Sequence, residues 1–498
     1  MYTNNPAQYS SPIFTMGSTT VLDTIELGPL DQIAPRIYVR SIFVFDQDEK
    51  YTEETITHLK LRFETALARW PFLSGQIGPA SNSRRPNELE LTYDLLYPQI
   101  NMDQRPDIFA YSSVEHLGGL DYQCLKKRGM PPSFMDKDIL SLSPNHPKPG
   151  KSCPPVTLKI TEVSGGGLFV CVSTHHAIFD GGFIKAFLEY FGQGHDEYPE
   201  LAFLDEAIER PLMSPYISTN ISKAMFPEYD FSPSNTVTST HSISEKAPKA
   251  VCVLFSIPNE ILSEIHSEAL AHVRGKHGEK AFVSKADTLS AMIWVHVTRS
   301  RFAHLSEQDH TSFTTAADAR PRLSPPFSPG AWGNVYTQTT TGQIPVGDLI
   351  RTSSSGILSC DAVPAILDAS WRVRQAVSKA STPGYIPARI ALAASHPDPT
   401  MEGKAFMKAL QPGHAGLGCS VWTHMGADVD FGIPGTGGRA DYVRKTWSAN
   451  DGSMNIMQRR GVTKGDAPWE VLLALREDDM ERICGPNELG RWASTWCA

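Results

Sequence analysis

Apolar and polar positions along this chain switch between two rhythms. Over 35–45 the order Pro-Arg-Ile-Tyr-Val-Arg-Ser-Ile-Phe-Val-Phe is dense in β-branched and aromatic residues, the composition of a strand. From Thr52 the spacing becomes helical: Ile56, Leu59, Phe63, Ala66 and Leu67 recur on one side, Glu53 and Glu54 suit the positive end, and Pro71 stops the run. Strand patterns return at 88–93, 155–161 and 167–174. Directly after the last of these, Ile184, Phe187, Leu188 and Phe191 share one face of a helix that begins at Gly181. Residues 206–250 lose all periodicity and fill with Ser, Pro, Thr and Asn, the composition of a long crossover. Order resumes with a strand at 251–255 and a helix whose first turn takes Pro258. A further helix starts near Ser284, where Ser284-Lys285-Ala286-Asp287 resembles a capping box with Asp in place of Glu or Gln. Leu289, Met292, Ile293 and His296 line its face. A strand at 471–475 and a charged helix from Glu477 close the pattern. The chain reads as an α/β protein of two halves, 1–205 and 251–498, joined by the crossover 206–250.

Composition narrows the function classes. The 498 residues suffice for two or three domains with their own cores, so neither disulfides nor metals are needed for folding. A net charge of −9 argues against nucleic acid as the main partner, because phosphate binding needs a basic surface. The eight cysteines are scattered, with no Cys-x-x-Cys pair, and read as free thiols of a reducing compartment. The first twenty residues are polar and lack the apolar core of a secretory signal. The longest apolar run, 168–172, is too short to span a bilayer. A cytoplasmic protein with no membrane partner is expected.

The chemistry concentrates at Thr174-His175-His176-Ala177-Ile178-Phe179-Asp180-Gly181-Gly182, where a strand gives way to a helix. Chance would place such a His-His-Asp-Gly pattern in a chain of this length in roughly one case in several hundred. Glycines at that junction permit a tight turn that aims the histidines. A neutral imidazole held there can take a proton from an attacking hydroxyl or amine. Asp180 could orient His176, or it could bond to an arginine and fix the turn. A zinc site would need a third ligand, and no partner motif supplies one, so no metal is expected. The bland alternative is a buried structural His pair. A second motif, Asp430-Phe431-Gly432-Ile433-Pro434 followed by a Gly-rich tail to Gly438, lacks the companion loops of a protein kinase and the strand–helix context of a dinucleotide site. It reads as a loop.

Together the two motifs resemble the BAHD acyltransferases, CoA-dependent enzymes of plant and fungal specialised metabolism that carry HHxxxDG in mid-chain and DFGWG late. Other stretches agree in the same order: Leu27 to Gln32, Trp70 to Gly75, Asp318-Ala319-Arg320 with Trp332-Gly333-Asn334, Ser420 to Thr423, and Trp469 through Met480. The stretch from Ser284 to Trp294 looks closer to the fungal members, including trichothecene acetyltransferases. The resemblance implies two chloramphenicol-acetyltransferase-like domains meeting at a central solvent channel, with CoA thioester entering from one side and the acceptor from the other. It implies His176 as the catalytic base, with Asp180 paired to Arg320 in support. It further implies Gly181, Asp430 and Gly432 as structural residues, and Trp422 or Ser420 as a donor to the oxyanion. The co-substrate expected is acyl-CoA, with acetyl-CoA favoured, and the acceptor a small-molecule hydroxyl. No bound cofactor is expected, and a monomer is.

The family's DFGWG becomes Asp-Phe-Gly-Ile-Pro here, which leaves the histidine motif intact but alters the loop. Two rival readings follow. A free-standing relative of peptide-synthetase condensation domains would take its acyl group from a carrier-protein thioester. A binding or pericyclic-cyclase protein would keep the fold without acyl transfer.

Overall fold

The computed structural model describes residues 22–94, 101–193, 249–350, 361–403, 415–459 and 467–497, with positions 213, 216, 217, 221, 225, 226 and 358 between them. Most of the expected crossover 206–250, and the polar N-terminal segment, lie outside the described residues.

Two sheets organise the molecule. The first has five strands in the order Tyr442–Lys445, Tyr38–Asp46, Gly167–His175, Val156–Val163 and Phe109–Val114. Its central strand, Gly167–His175, is buried at every position, which explains why it reads as an apolar run rather than an alternation. Register sets Tyr38 opposite His175 and Asp46 opposite Gly167. The helices Thr52–Arg69 and Gly181–Gln193 cover one face, and Phe63 of the first meets Phe187 and Phe191 of the second edge-on. Such ring pairs add to the transfer energy of the buried area. The predicted strands at 88–93, 155–161 and 167–174 and the helix from Thr52 fall within a residue or two of their expected positions, and the strand expected over 35–45 begins at Tyr38; the strands Leu22–Glu26, Gln76–Pro79 and Phe109–Val114 are not marked by the periodicity.

The second sheet has seven strands in the order Tyr336–Thr340, Phe313–Asp318, Leu417–Val421, Ser453–Ile456, Trp469–Arg476, Ala250–Ile257 and Thr495–Cys497. Helices Asn259–His277, Lys285–Arg301 and Val363–Lys379 pack on one side of it. Pro258 proves to be the cap residue rather than part of the first turn. Ser284 and Asp287 do form a capping box, with Asp287 N donating to Ser284 Oγ at 3.2 Å and Ser284 N to Asp287 Oδ2 at 2.7 Å. The helix they start is buried all round from Asp287 to Arg301, not on one face alone. Tertiary partners make that possible: Glu488 takes both His296 Nδ1 and the Arg299 guanidinium, and the Trp294 indole donates to Thr311.

The halves are interlocked. Strand Tyr442–Lys445, from the second half, pairs antiparallel with Ser41 to Val44 and so completes the first sheet. The segment ahead of it carries the Asp430 loop onto the first lobe. Both motifs singled out above therefore lie where the two lobes touch.

Candidate active site

The central strand ends at His175 and the chain turns at once. Ile178 N and Phe179 N both donate to the His175 carbonyl at 3.0 Å. Asp180 then caps the helix Gly181–Gln193, its Oδ1 accepting from Phe183 N at 3.0 Å. His175 points into the lobe: its Nδ1 accepts from Ala177 N at 3.2 Å, and its ring stands edge-on to Tyr38 at 5.2 Å. Burial, then the neighbouring His176, pushes its pKa down to about 3.

His176 is held from both lobes. Its N–H donates to Ile37 O at 2.9 Å, and its carbonyl accepts from Asn334 Nδ2 at 2.8 Å. The side chain stays partly exposed, while Nδ1 is shut away from solvent without a formed hydrogen bond. The ring lies 5.6 Å from that of Tyr336. Burial lowers its pKa; its own backbone carbonyl, the Asp180 charge and the Asn334 amide oppose the shift without cancelling it. The lowered pKa favours the neutral imidazole near pH 7, with the Nδ1 side closed and the residue partly exposed.

Asp180 does not reach that ring. Both its oxygens are spent on Arg320, Nη1 to Oδ2 at 2.8 Å and Nη2 to Oδ1 at 2.9 Å, with Val335 N adding a third donor to Oδ2 at 2.8 Å. Of the two partners the sequence left open for Asp180, the arginine is the one it has. Arg320 also donates to Asp318 Oδ1, Ala331 O and Gly333 O, and is only 1 % exposed. Burial alone would lower the Arg320 pKa; Asp180 and Asp318 outweigh it and leave it raised. The guanidinium lies so close over the helix start that a Cβ on Gly182 would sit 2.6 Å from Nη1. Gly181 has the milder neighbour, Met425 Sδ, at 3.2 Å from its own would-be Cβ.

Sequence reasoning assigned no part to Asp31 and Asn334. Asn334 N and Nδ2 donate to Asp31 Oδ1 at 2.6 and 3.0 Å, and Gly28 N donates to Asp31 Oδ2 at 3.0 Å. Asp31 thus fixes the amide that holds the His176 carbonyl. The two residues are 303 positions apart, so no spacing rule could pair them. The only sequence sign was that both fell in stretches matching the family.

The remaining expected residues group elsewhere. Ser420 is exposed on the second sheet, and Trp422 is buried among the apolar residues of the first lobe. Neither makes a hydrogen bond or ring contact with His176 among the described residues. Asp430 Oδ1 accepts from Gly432 N at 2.9 Å, and Phe431 N donates to Gly438 O at 2.8 Å, closing the loop on itself. Phe431 enters a socket of Phe43, Phe45 and Phe191, with centroids 5.0 to 5.7 Å away. His58 Nε2 meets the Phe431 carbonyl at 2.7 Å, and Gln47 donates to Pro434 O at 2.8 Å. Gly438, at φ 74°, is needed because a Cβ there would lie 2.0 Å from Asp430 Oδ1. Asp430 and Gly432 thus shape the loop. Among the described residues no group of three or more His, Cys, Asp or Glu side chains is arranged to hold a metal.

Comparison with known proteins bears on the same architecture. The family model described as Transferase family matches residues 133–489. An acyltransferase of Emericella nidulans, easC, is 25% identical over 346 residues, covering 67% of this chain and 70% of that protein. The trichothecene 8-O-acetyltransferase of Fusarium sporotrichioides is 22% identical over 504 residues, covering 94% of this chain and 97% of its own. The F. graminearum TRI101 structure, solved with coenzyme A and T-2 mycotoxin, superposes with a TM-score of 0.77 at 19% identity, over 95% of this chain and 99% of that one. Vinorine synthase follows at a TM-score of 0.59 and 18% identity, covering 97% and 96%. At these identities the structural likeness speaks for the fold: two α/β lobes joined as described.

Proposed function

Because this chain belongs to the Transferase family, the BAHD-type acyltransferases, we propose that it moves the acyl group of a CoA thioester onto a hydroxyl of a small secondary metabolite, with His176 as the base. The observation that carries this is the state of one ring. The His176 main chain is clamped by Ile37 and Asn334, its Nδ1 side is closed and the residue is partly exposed, while burial lowers its pKa and so favours the neutral ring. With Nδ1 carrying the hydrogen next to the residue's own carbonyl, Nε2 presents its lone pair to the acceptor. Nε2 takes the hydroxyl proton as the oxygen attacks the thioester carbonyl carbon. The tetrahedral intermediate collapses, the C–S bond breaks, and Nε2 returns the proton to the CoA thiolate. The products are an ester and free CoA.

Asp180 and Arg320 act in this scheme as positioning residues, since their bidentate pair ties the turn to the second lobe. Gly181 leaves room beside Met425, and Asp430 and Gly432 hold the loop that braces the same helix. Ser420 or Trp422 serves the oxyanion. Acetyl-CoA is the donor we favour, because the trichothecene 8-O-acetyltransferase named above is a relative, and its name points to a hydroxylated metabolite as acceptor. Both substrates reach His176 along a channel between the lobes. The protein works as a cytoplasmic monomer; no described helix is long and apolar enough to cross a membrane.

The test is thiol release from acetyl-CoA in the presence of hydroxylated terpenoid acceptors. His176→Ala lowers turnover by roughly 10²–10⁴-fold. Near-normal turnover in that variant rejects the mechanism. The pH profile is a second readout. A base must be unprotonated, and burial has lowered the His176 pKa, so the acid limb of kcat/KM falls below the ordinary histidine value of about 6.5. An acid limb at or above that value contradicts the assignment.

A further inference from the structure

Lys445 has no role in this scheme, yet its setting is unusual. It is the last residue of the strand that the second half lends to the first sheet, placed opposite Ser41. Among the described residues its Nζ has one hydrogen-bond partner, Asn455 Oδ1 at 2.8 Å, and no ion pair. The next residue back, Arg444, points to the other face and has Glu470 at 3.0 Å. Buried Arg320, Arg389 and Arg299 likewise have Asp180, Glu402 and Glu488. Burial pulls the Lys445 pKa down; the nearby Cys252 thiol opposes the shift, and the like charge of Arg40, on the adjoining strand, adds to it. A cation set this deep without an anion is costly. It nevertheless keeps part of its surface accessible.

Strand register shows where that surface leads. Tyr336, which packs on the His176 ring, lies opposite Asp318, and Gln338 lies opposite Ala316. On the neighbouring strand Ser420 follows in the same row, and it pairs with Asn455. Ala316, Asp318 and Ser420 are exposed although they sit inside a seven-stranded sheet. The opposite face at these strands, with Cys419, Met454 and Ile456, is sealed under helices. One strand further along the row, Leu472 is buried and apolar. So a floor of small and polar side chains, exposed at Ala316, Asp318 and Ser420, runs from the His176 end at Tyr336 toward Asn455, which is itself buried at 7 % exposure. Three strand spacings make it roughly 14 Å long.

We infer that Lys445, steadied by Asn455 at the far end of this floor, is a specificity residue that receives a carboxylate carried by one of the two substrates. The inference rests on acyl transfer at His176. With acetyl-CoA as donor, the carboxylate belongs to the acceptor; with a dicarboxylic acyl-CoA, to the acyl group. Either supplies the charge that Lys445 lacks, and the remaining Nζ hydrogens bond it.

The test compares matched pairs in the full-length protein. One arm sets malonyl-CoA against acetyl-CoA; the other sets 3-hydroxybenzoate against its methyl ester with acetyl-CoA present. Calorimetry reads affinity and thiol release reads turnover. The native protein favours the carboxylated member in one arm. Lys445→Met cuts that preference roughly 30-fold, and Lys445→Arg restores much of it. The arm that responds identifies which substrate carries the carboxylate. No preference in either arm of the native protein, or a preference that survives Lys445→Met, overturns the inference. Calorimetry does not depend on turnover, so it decides the role of Lys445 even if no acyl transfer is found; absent transfer counts against the proposed function alone.

Discussion

The turn from His175 to Gly182 and the loop from Asp430 to Gly438 both fasten one lobe to the other, by opposite means. The turn is polar. Asp180 receives four hydrogen bonds, from Arg320 twice, Phe183 and Val335, and Asn334 adds its hold on the His176 carbonyl. The loop is apolar. It drives the 1 % exposed ring of Phe431 between Phe43, Phe45 and Phe191 and seals the entry with main-chain hydrogen bonds. A directional network depends on each residue's identity, because every donor has one acceptor at one angle. A packed socket depends on shape and volume, and admits other apolar residues of suitable size. That difference explains why the histidine motif here matches its family position for position while the loop replaces Trp-Gly by Ile-Pro.

The largest effect expected from this contrast is at Arg320. Arg320→Ala leaves the Asp180 carboxylate buried and unpaired, which costs about 3–5 kcal/mol of stability by denaturant unfolding. It also lowers kcat in the molecules that fold, because the turn bearing His176 loses its tie to the second lobe. Arg320→Lys keeps the charge but not the two parallel hydrogen bonds, and recovers only part of either loss. A lysine variant equal to the native protein in both measurements would mean that charge alone holds the turn, and the contrast with the loop would fail.

The same distinction separates what could be read in the chain from what could not. The strand 167–175, the helix from Gly181 and the Ser284 capping box follow from short-range patterns, and the structure has them within a residue or two. The motif around His176 is legible because its residues are neighbours in sequence. The Asp31–Asn334 support is not, since its geometry exists only after the lobes dock. Strand Tyr442–Lys445 is equally hidden: nothing in Tyr-Val-Arg-Lys says that it joins the sheet of the other half. The all-round burial of the helix Lys285–Arg301 escapes the pattern too, because His296 and Arg299 are buried on Glu488, almost two hundred residues on.

A middle-sized effect is expected at Phe431. Phe431→Ala empties the socket and costs about 3–4 kcal/mol, the range for deleting a buried aromatic ring. Its signature differs from that of Arg320→Ala. Stability falls, but the folded fraction keeps kcat within about threefold of the native value, since the ring touches none of the groups that hold His176. Activity normalised to folded protein, from unfolding curves and turnover on the same samples, separates the two. A drop in normalised kcat as large as that of Arg320→Ala would show the loop acting on the turn, through the helix Gly181–Gln193 that Val429 packs against at Gly192.

The smallest effect belongs to the pair that departs from the family, and its sign is the sharpest test of the contrast. Ile433 is 3 % exposed and packs in the first lobe's core, so the site is filled. The Pro434 carbonyl, which accepts from Gln47, would remain in any residue placed there. Restoring the family residues, Ile433→Trp with Pro434→Gly, therefore adds a large ring to a full site and frees the unfolded chain. Overpacking costs about 1–3 kcal/mol and the lost proline constraint about 0.4–1 kcal/mol, so the double variant is less stable than the native protein. A socket defined by shape responds in this way, with the present residues fitting better than the commoner ones. If the double variant melts higher, Ile433 leaves a tryptophan-sized space unfilled, and the loop is set by residue identity after all, as the turn is.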